Sequence, residues 1–170
     1  MGFVLLSDRR LDPALDPTPP ALKVLYTYWL EKRRGQSMPS RRDIDTAEIL
    51  ANLGRVHLLE VEGPTTFRYR LYGSHVTNPD GTDMTGLTTR DYRDVDFGSL
   101  VTRHHAECVR ERSPVCYEIR AKIGGDPYDY ARLALPLSED GERVDMILVG
   151  SVGGRIRSRA RRGAGGSQGA

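Results

Sequence analysis

The sequence predicts an α+β fold, in which about five antiparallel strands form one sheet with helices on one face and an extra helix at the N-terminus. Two segments, 19–34 and 97–112, carry apolar residues at the spacing of a helix face. Five further segments are apolar and β-prone, most of them alternating apolar with polar residues, which is typical of strands with one buried side. Short connections between neighbouring strands favour antiparallel pairing.

The start of the chain predicts little structure before the first helix. Asp-Pro pairs at 12–13 and 16–17 mark turns, so we expect a flexible lead-in over residues 1–18. Pro19 and Pro20 suit a first helical turn, and Leu22, Leu25 and Trp29 form one apolar stripe. We therefore expect a folded domain over 19–153 that begins with this helix.

A polar segment, 38–45, follows the first helix and precedes a short second one. Asp45 and Glu48 have the spacing of a capping box, which predicts a helix over 46–52. We interpret the polar segment as a packing clamp between the first helix and the sheet, with a partner surface as the alternative.

The strands follow the change to a period of two. Strands are predicted over 56–62 and 67–72, then over 115–123, 128–137 and 144–152, with turns and the 97–112 helix between the two groups. The alternation predicts that six residues share one buried face of the sheet: Phe67, Tyr69, Leu71, Val115, Tyr117 and Ile119. Gly81 and Gly86 are interpreted as turn glycines.

Charge is concentrated at the C-terminus. The net charge is +2, but the last sixteen residues carry five arginines and no acid, so residues 1–154 carry about −3. We expect a disordered Arg/Gly-rich tail over 154–170 and consider nucleic acid an unlikely partner of the folded part. No apolar run is long enough to span a membrane, and no leader pattern is present, so we expect a cytoplasmic protein.

Motifs of known catalytic or metal sites are missing from the sequence. Cys108 and Cys116 form no C-x-x-C pair, and His104 with Cys108 supplies half of a metal site, so we predict no metal. No G-x-S-x-G, Walker A or H-E-x-x-H pattern occurs, and we assign no catalytic residues.

Five motifs occur in the order found in a bacterial PAS-like family of short single-domain proteins, which this chain resembles over about residues 21–152. They are Tyr28-Trp29, Met-Pro-Ser-Arg-Arg-Asp-Ile-Asp at 38–45, Phe-Arg-Tyr-Arg-Leu-Tyr-Gly at 67–73, Gly-Thr-Asp-Met-Thr-Gly at 81–86 and Leu-Pro-Leu-Ser at 135–138. The resemblance implies a sensory or regulatory domain of PAS fold with no established catalytic residues.

A PAS-like fold would enclose a cavity between its helices and its sheet, and four residues are candidates to line it: Tyr69, His104, Cys108 and Tyr117. For the tyrosines the alternative is an ordinary core position, and for His104 it is a hydrogen bond to a backbone carbonyl without any ligand. The cofactor stays unknown. Haem bound by His104 or His105 is one alternative, because some PAS domains hold haem on this helix.

The predicted function is a non-catalytic sensory or regulatory domain that acts in trans on an unidentified signalling protein, by binding a small ligand, a partner protein or both. We expect a homodimer that uses Leu22, Tyr26 and Trp29 of the first helix. Two alternatives stay open: a small enzyme with an unrecognised site, and an adaptor that binds nucleic acid or an anionic surface through the arginine tail.

Overall fold

The computed structural model describes residues 2–53, 55–73 and 78–154, and six strands and three α-helices lie within them. The helices are α1 Pro20–Lys32, α2 Thr46–Leu53 and α3 Val95–Glu111. The strands are β1 Phe3–Leu11, β2 Val56–Gly63, β3 Thr66–Leu71, β4 Val115–Ile123, β5 Asp126–Leu137 and β6 Met146–Gly154. All strands belong to one antiparallel sheet with the order β1-β4-β5-β6-β2-β3.

The sixth strand corrects the prediction of a flexible lead-in over residues 1–18. β1 pairs with β4 along its whole length, from Phe3 opposite Ile123 to Leu11 opposite Cys116. Phe3 and Leu11 are buried, whereas most residues between them are exposed. Because the strand lies at the sheet edge and contains a bulge between Leu5 and Ser7, its sequence shows no clean alternation.

The predicted buried face of the sheet is confirmed for five of its six residues. Tyr69 lies opposite Leu59 and Tyr117 opposite Arg132 in the strand register, which places their side chains on the same side. Phe67, Tyr69, Val115, Tyr117 and Ile119 are buried. Leu71 is half-buried and lies on the other side, because a register shift pairs it with Leu58. We call this side the inner face.

Helix α3 packs on the inner face. The Asp94 carboxylate caps the helix by accepting a hydrogen bond from the backbone N–H of Phe97 at 3.0 Å, and Arg112 ends it in a left-handed conformation. Phe97, Val101, His104 and Cys108 are buried beneath the helix, as its apolar stripe predicts.

Helix α1, the extra N-terminal helix of the predicted fold, packs on the opposite, outer face of the sheet. On β6, Gly150 comes one residue before Ser151 and therefore faces the side of the sheet opposite to the inner face. Leu22 and Leu25 of α1 pack directly over Gly150. The Trp29 indole donates a hydrogen bond to the carbonyl of Pro136 at 2.9 Å.

This packing also corrects the predicted dimer interface. Leu22 and Trp29 are 2% exposed within a single chain, because they fill the space above Gly150 and β5. Tyr26 is half-buried and stacks on Trp29. Leu22 and Trp29 are therefore committed to the chain's own core and are not on the surface that a second copy would meet.

The polar segment after α1 ties helix to sheet. Met38 is buried, and the carbonyl of Pro39 accepts a hydrogen bond from the backbone N–H of Ser138 just beyond β5. The Tyr28 hydroxyl accepts from the backbone of Asp45, and the Asp45 carboxylate accepts from the backbone of Ala47 at the start of α2. These contacts are those of a packing clamp.

The segment before α3 covers the β3 edge of the sheet. Tyr69 exchanges backbone hydrogen bonds with Gly86 and Leu87, and Thr88 bridges to Arg68. Gly81 and Gly86 have positive φ angles of 65° and 82°, as their interpretation as turn glycines requires. The described residues include no helix long and apolar enough to cross a membrane. His75 and the arginines of the predicted tail lie outside those residues.

Candidate functional site

A group of polar side chains is buried between α3 and the inner face of the sheet. We call it the inner polar cluster, and each member is no more than 5% exposed. Its members are His57, Tyr69, Tyr92, His104, His105, Tyr130, Arg132 and Ser151. Buried polar groups of this density require hydrogen-bond partners, so the pairing of each one decides what the cluster can do.

Arg132 carries the positive charge of the cluster. It lies on β5 between Tyr117 of β4 and Ser151 of β6. Its guanidinium donates to His104 Nδ1 at 2.9 Å and to the Tyr130 hydroxyl at 3.3 Å. Within the described part of the chain no carboxylate lies within 4.0 Å of it. A buried arginine without an anionic partner is rare, because the desolvation of its charge is uncompensated.

His104 connects Arg132 with the edge strand β1. Because Arg132 can only donate, His104 Nδ1 is an acceptor and the ring proton lies on Nε2, which donates to Asp8 Oδ2 at 3.0 Å. The ring stacks on Tyr117 at 3.9 Å between centroids. Burial and the charge of Arg132 lower the pKa of His104, so the imidazole is neutral at pH 7.

Asp8 is the anionic end of this chain of contacts. Burial alone would raise the pKa of its carboxyl, but hydrogen bonds from His104 and Arg103 outweigh that effect and lower it. The Arg103 guanidinium lies 2.6 Å from Asp8 Oδ2. Arg103 also lies 3.7 Å from Glu107, so Asp8 and Glu107 share one guanidinium. Asp8 reaches Arg132 only through the His104 ring.

His105 is the member without partners. Both of its ring nitrogens are buried and make no hydrogen bond with any described residue. The ring contacts the edge of Phe67, with 5.6 Å between centroids. Burial, and next the charge of Arg132, hold the pKa of His105 well below its usual value. The residue is a neutral imidazole whose donor and acceptor are both unused.

Tyr69, Tyr92 and His57 form the other end of the cluster, and Tyr72 packs against them. The Tyr92 hydroxyl lies 2.8 Å from that of Tyr69 and 3.4 Å from that of Tyr72. His57 Nδ1 accepts from the backbone of Gly73, and the His57 ring packs on Tyr72. Burial lowers the pKa of His57 to about 3 and raises that of Tyr69, so all four side chains are neutral.

An open surface cavity of about 440 Å³ reaches this end of the cluster. It lies between α3 and the 3-10 turn Thr89–Asp91 and is lined by Arg90, Thr102 and Arg103, among others. Tyr92 lines this cavity, and its hydroxyl is hydrogen-bonded to that of Tyr69. The tyrosine end of the cluster therefore borders a surface cavity through Tyr92.

The structure brings three of the four predicted cavity residues to the cluster. Tyr69 and His104 are members, and Tyr117 stacks on His104 while its hydroxyl donates to Glu107 at 2.7 Å. Cys108 is buried on the same helix, but none of the cluster's hydrogen bonds within the described residues includes it, and burial raises the pKa of its thiol. It is a small core residue with an unreactive thiol.

Five residues of the cluster were not predicted from the sequence: Arg132, Ser151, His57, Tyr92 and Tyr130. One signal was present: Arg132 stands inside the predicted strand 128–137, where the flanking residues are almost all apolar. A charge in the middle of a buried strand indicates a function or a partner. Ser151 and His57 have no such signal, because only the strand register brings Ser151 opposite Arg132 and places His57 on the same face, one strand further on.

The two histidines named as alternative haem ligands differ in the structure. Both nitrogens of His104 are already engaged, by Asp8 and Arg132, whereas those of His105 are unpartnered. No group of three or more His, Cys, Asp or Glu side chains suited to a metal ion occurs in the described ranges.

The chain thus has an open α+β architecture, with a polar cluster enclosed between helix α3 and a six-stranded antiparallel sheet. A family model described as PAS domain matches residues 18–148. The chain therefore belongs to the PAS domain family, and it is a sensory or regulatory domain of that type. The comparisons found no match among curated proteins and none among solved structures. Strand β1 precedes the matched region.

Proposed function

We propose that this PAS domain is a non-catalytic cytoplasmic sensor that binds a small molecule at the inner polar cluster and acts on another protein in trans. The observation that carries the proposal is His105, a fully buried imidazole with neither nitrogen hydrogen-bonded among the described residues. Each unsatisfied buried polar group costs about 1–3 kcal/mol. A ligand that hydrogen-bonds to His105 recovers that free energy on binding.

The route from the cluster to the surface follows the described hydrogen bonds. Arg132 contacts His104, and His104 contacts Asp8 on β1, so β5, α3 and β1 are joined by one chain of polar contacts. A ligand that changes the position of Arg132 changes the hydrogen bond that fixes α3 to β1. In this proposal β1 is the element that passes the change on to a partner protein.

The proposal also includes a homodimer, in which two copies of the chain pair along the free edge of β1. Within the described residues β1 pairs only with β4, whereas the other edge of the sheet, β3, is covered by Gly86–Thr88. Three consecutive apolar residues are exposed on β1: Val4, Leu5 and Leu6. Antiparallel pairing of two copies about Leu5 places Val4 of each opposite Leu6 of the other, so the edge is self-complementary.

Light scattering tests this part of the proposal. Wild-type protein at tens of micromolar is expected to have the mass of a dimer, and Leu6→Lys that of a monomer, because a lysine on the edge opposes strand addition. Leu15→Lys is the matched control, since Leu15 is exposed outside the strand. A monomeric wild type, or a dimer unaffected by Leu6→Lys, rules out this interface.

The ligand part is tested by thermal shift and native mass spectrometry with a panel of small metabolites. The expected result is a raised melting temperature for wild type with at least one compound, and no such shift for His105→Leu. Trp29→Phe is the matched control, because it perturbs an equally buried residue on the outer face and leaves the cluster intact. If no compound binds the wild type, or if His105→Leu responds equally, the proposed ligand site is wrong.

A further inference from the structure

The charge balance of the inner polar cluster is incomplete. The guanidinium of Arg132 is 5% exposed, and the groups that touch it are the His104 imidazole, the Tyr130 hydroxyl and the faces of the Phe97 and Tyr130 rings. All of these are neutral. Among the residues that the structure describes, these hydrogen bonds use two of the five N–H groups of the guanidinium. A positive charge with unused donors therefore remains in the core.

Two more unused polar groups lie around Arg132. Ser151 stands directly opposite Arg132 in the β5–β6 register, and its buried hydroxyl has no partner in the described part of the chain. On α3, His105 follows His104, whose Nδ1 accepts from Arg132, and both ring nitrogens of His105 are buried without a partner among the described residues. Guanidinium, hydroxyl and neutral imidazole are all hydrogen-bond donors to an oxyanion.

The single positive charge of Arg132 favours an oxyanion that carries a single negative charge. The carboxylates nearest the cluster, Asp8 and Glu107, are paired with Arg103 and Arg10, and the histidines of the cluster are neutral. The single positive charge of Arg132 therefore has no described carboxylate in contact with it. A carboxylate carries one negative charge, whereas a phosphate monoester carries nearly two at pH 7. The second phosphate charge would be buried without a partner, which is strongly unfavourable.

The surroundings of these donors are aromatic. Phe97 lies beneath Arg132, and the rings of Phe67 and His105 pack at a steep angle of 79°. Resting on the ligand-binding function proposed above, we propose that the ligand is a small monocarboxylate with an apolar body, whose carboxylate is bound by Arg132, Ser151 and His105. Arg132 supplies the charge, Ser151 and His105 supply neutral hydrogen bonds, and the phenylalanine rings contact the apolar body.

The test compares carboxylates with neutral compounds of the same shape. Wild-type protein is titrated in a calorimeter with acetate, benzoate and 3-phenylpropionate, with their amides, and with phenyl phosphate. At least one of the aromatic carboxylates is expected to bind, its amide to bind about 10- to 100-fold more weakly, and phenyl phosphate no better than the amide. The size of the difference follows from the loss of charge-assisted hydrogen bonds.

Three variants complete the test. Arg132→Met replaces the guanidinium by an apolar chain of similar length and is expected to lose about 10- to 100-fold in carboxylate affinity while remaining folded by circular dichroism. Ser151→Ala is expected to lose a smaller factor, and it serves as the informative variant if Arg132→Met does not fold. Trp29→Phe is expected to bind as wild type does.

The outcomes separate this inference from the function on which it rests. If an amide binds as well as its acid, or if phenyl phosphate binds best, the monocarboxylate assignment is overturned while a ligand site stands. If carboxylate affinity survives in both Arg132→Met and Ser151→Ala, the assigned residues are wrong. If none of the carboxylates binds but another metabolite raises the melting temperature, only the inference fails, and if nothing binds, both fail.

Discussion

At the scale of single residues, the three buried histidines make stability depend on pH. His57, His104 and His105 have pKa values below the usual value of 6.5 because burial disfavours the imidazolium, and for His57 the pKa is about 3. Above pH 6.5 all three are neutral in both states. As the pH falls below 6.5 the unfolded chain binds protons that the folded chain does not, so stability decreases until the folded pKa is reached.

Urea unfolding at pH 7 and pH 5 measures this effect. Each buried histidine is expected to lower the free energy of unfolding by about 2 kcal/mol over that interval, because one pH unit below the unfolded pKa corresponds to about 1.4 kcal/mol. His105→Phe should reduce the slope by one histidine's share. A stability that stays constant between pH 7 and pH 5 would contradict the assignment of neutral, buried imidazoles.

The Tyr92 hydroxyl provides a second test at this scale. Tyr92→Phe removes the 2.8 Å hydrogen bond to Tyr69 and leaves the Tyr69 hydroxyl buried without that partner. We expect a loss of about 1–3 kcal/mol in the free energy of unfolding. The matched control is Tyr72→Phe, whose hydroxyl makes the longer 3.4 Å contact from a half-buried position and should cost less. Equal effects of the two variants would be inconsistent with the geometry.

At the scale of elements, Gly98 allows α3 to approach the 3-10 turn that precedes it. A Cβ at this position would lie 2.8 Å from the carbonyl oxygen of Thr89 and 3.3 Å from Tyr92 Cβ. The close approach also brings the hydroxyls of Thr89 and Thr102 to 2.7 Å from each other. The glycine is therefore needed for packing, despite its low helix propensity.

Gly98→Ala tests this packing. Helix propensity alone would favour alanine by about 1 kcal/mol, but the clash with backbone is expected to reverse the sign and to lower the melting temperature by several degrees. Ser99→Ala, on the exposed side of the next helical position, should leave the melting temperature unchanged or slightly raised. A more stable Gly98→Ala variant would show that α3 does not lie this close to Thr89.

The elements that sequence analysis predicted are those with a regular pattern. Helices α1 and α3 and the alternating strands β3 and β4 were predicted because one face of each is apolar. β1 was not, because its buried residues Phe3 and Leu11 are at its ends and the residues between them face solvent. The outer position of α1 could not be predicted either, since an apolar stripe does not specify which face of the sheet it covers.

The residues of the candidate site could likewise be predicted only where they belong to an element with a regular pattern. Tyr69, His104 and Tyr117 were predicted because the period of each element points them inward. The unsatisfied state of His105 and the missing counter-charge of Arg132 depend on distances between α3, β5 and β6, which are far apart in the chain. Such properties belong to the tertiary structure and leave no local sequence pattern.

At the scale of the whole molecule, β1 is part of the folded core. The Phe3 ring packs edge-on against Phe97, with 5.2 Å between centroids, and Leu11 is buried opposite Cys116. Phe3→Ala is expected to lower the free energy of unfolding by about 3–5 kcal/mol, and Leu6→Ala by less than about 0.5 kcal/mol, since Leu6 is exposed on the same strand. Similar values for both in urea unfolding would contradict the position of β1.

The pairing of β1 with β4 has a consequence for the time course of folding. Phe3 pairs with Ile123, about 120 residues later in the chain, so β1 lacks its neighbour until most of the polypeptide has been synthesised. Contacts between such distant segments carry a large loop-closure cost and form late. The other five strands are contiguous in the sheet without β1, which then adds at the edge. Phe3→Ala should therefore accelerate unfolding and leave the refolding rate nearly unchanged in stopped-flow measurements.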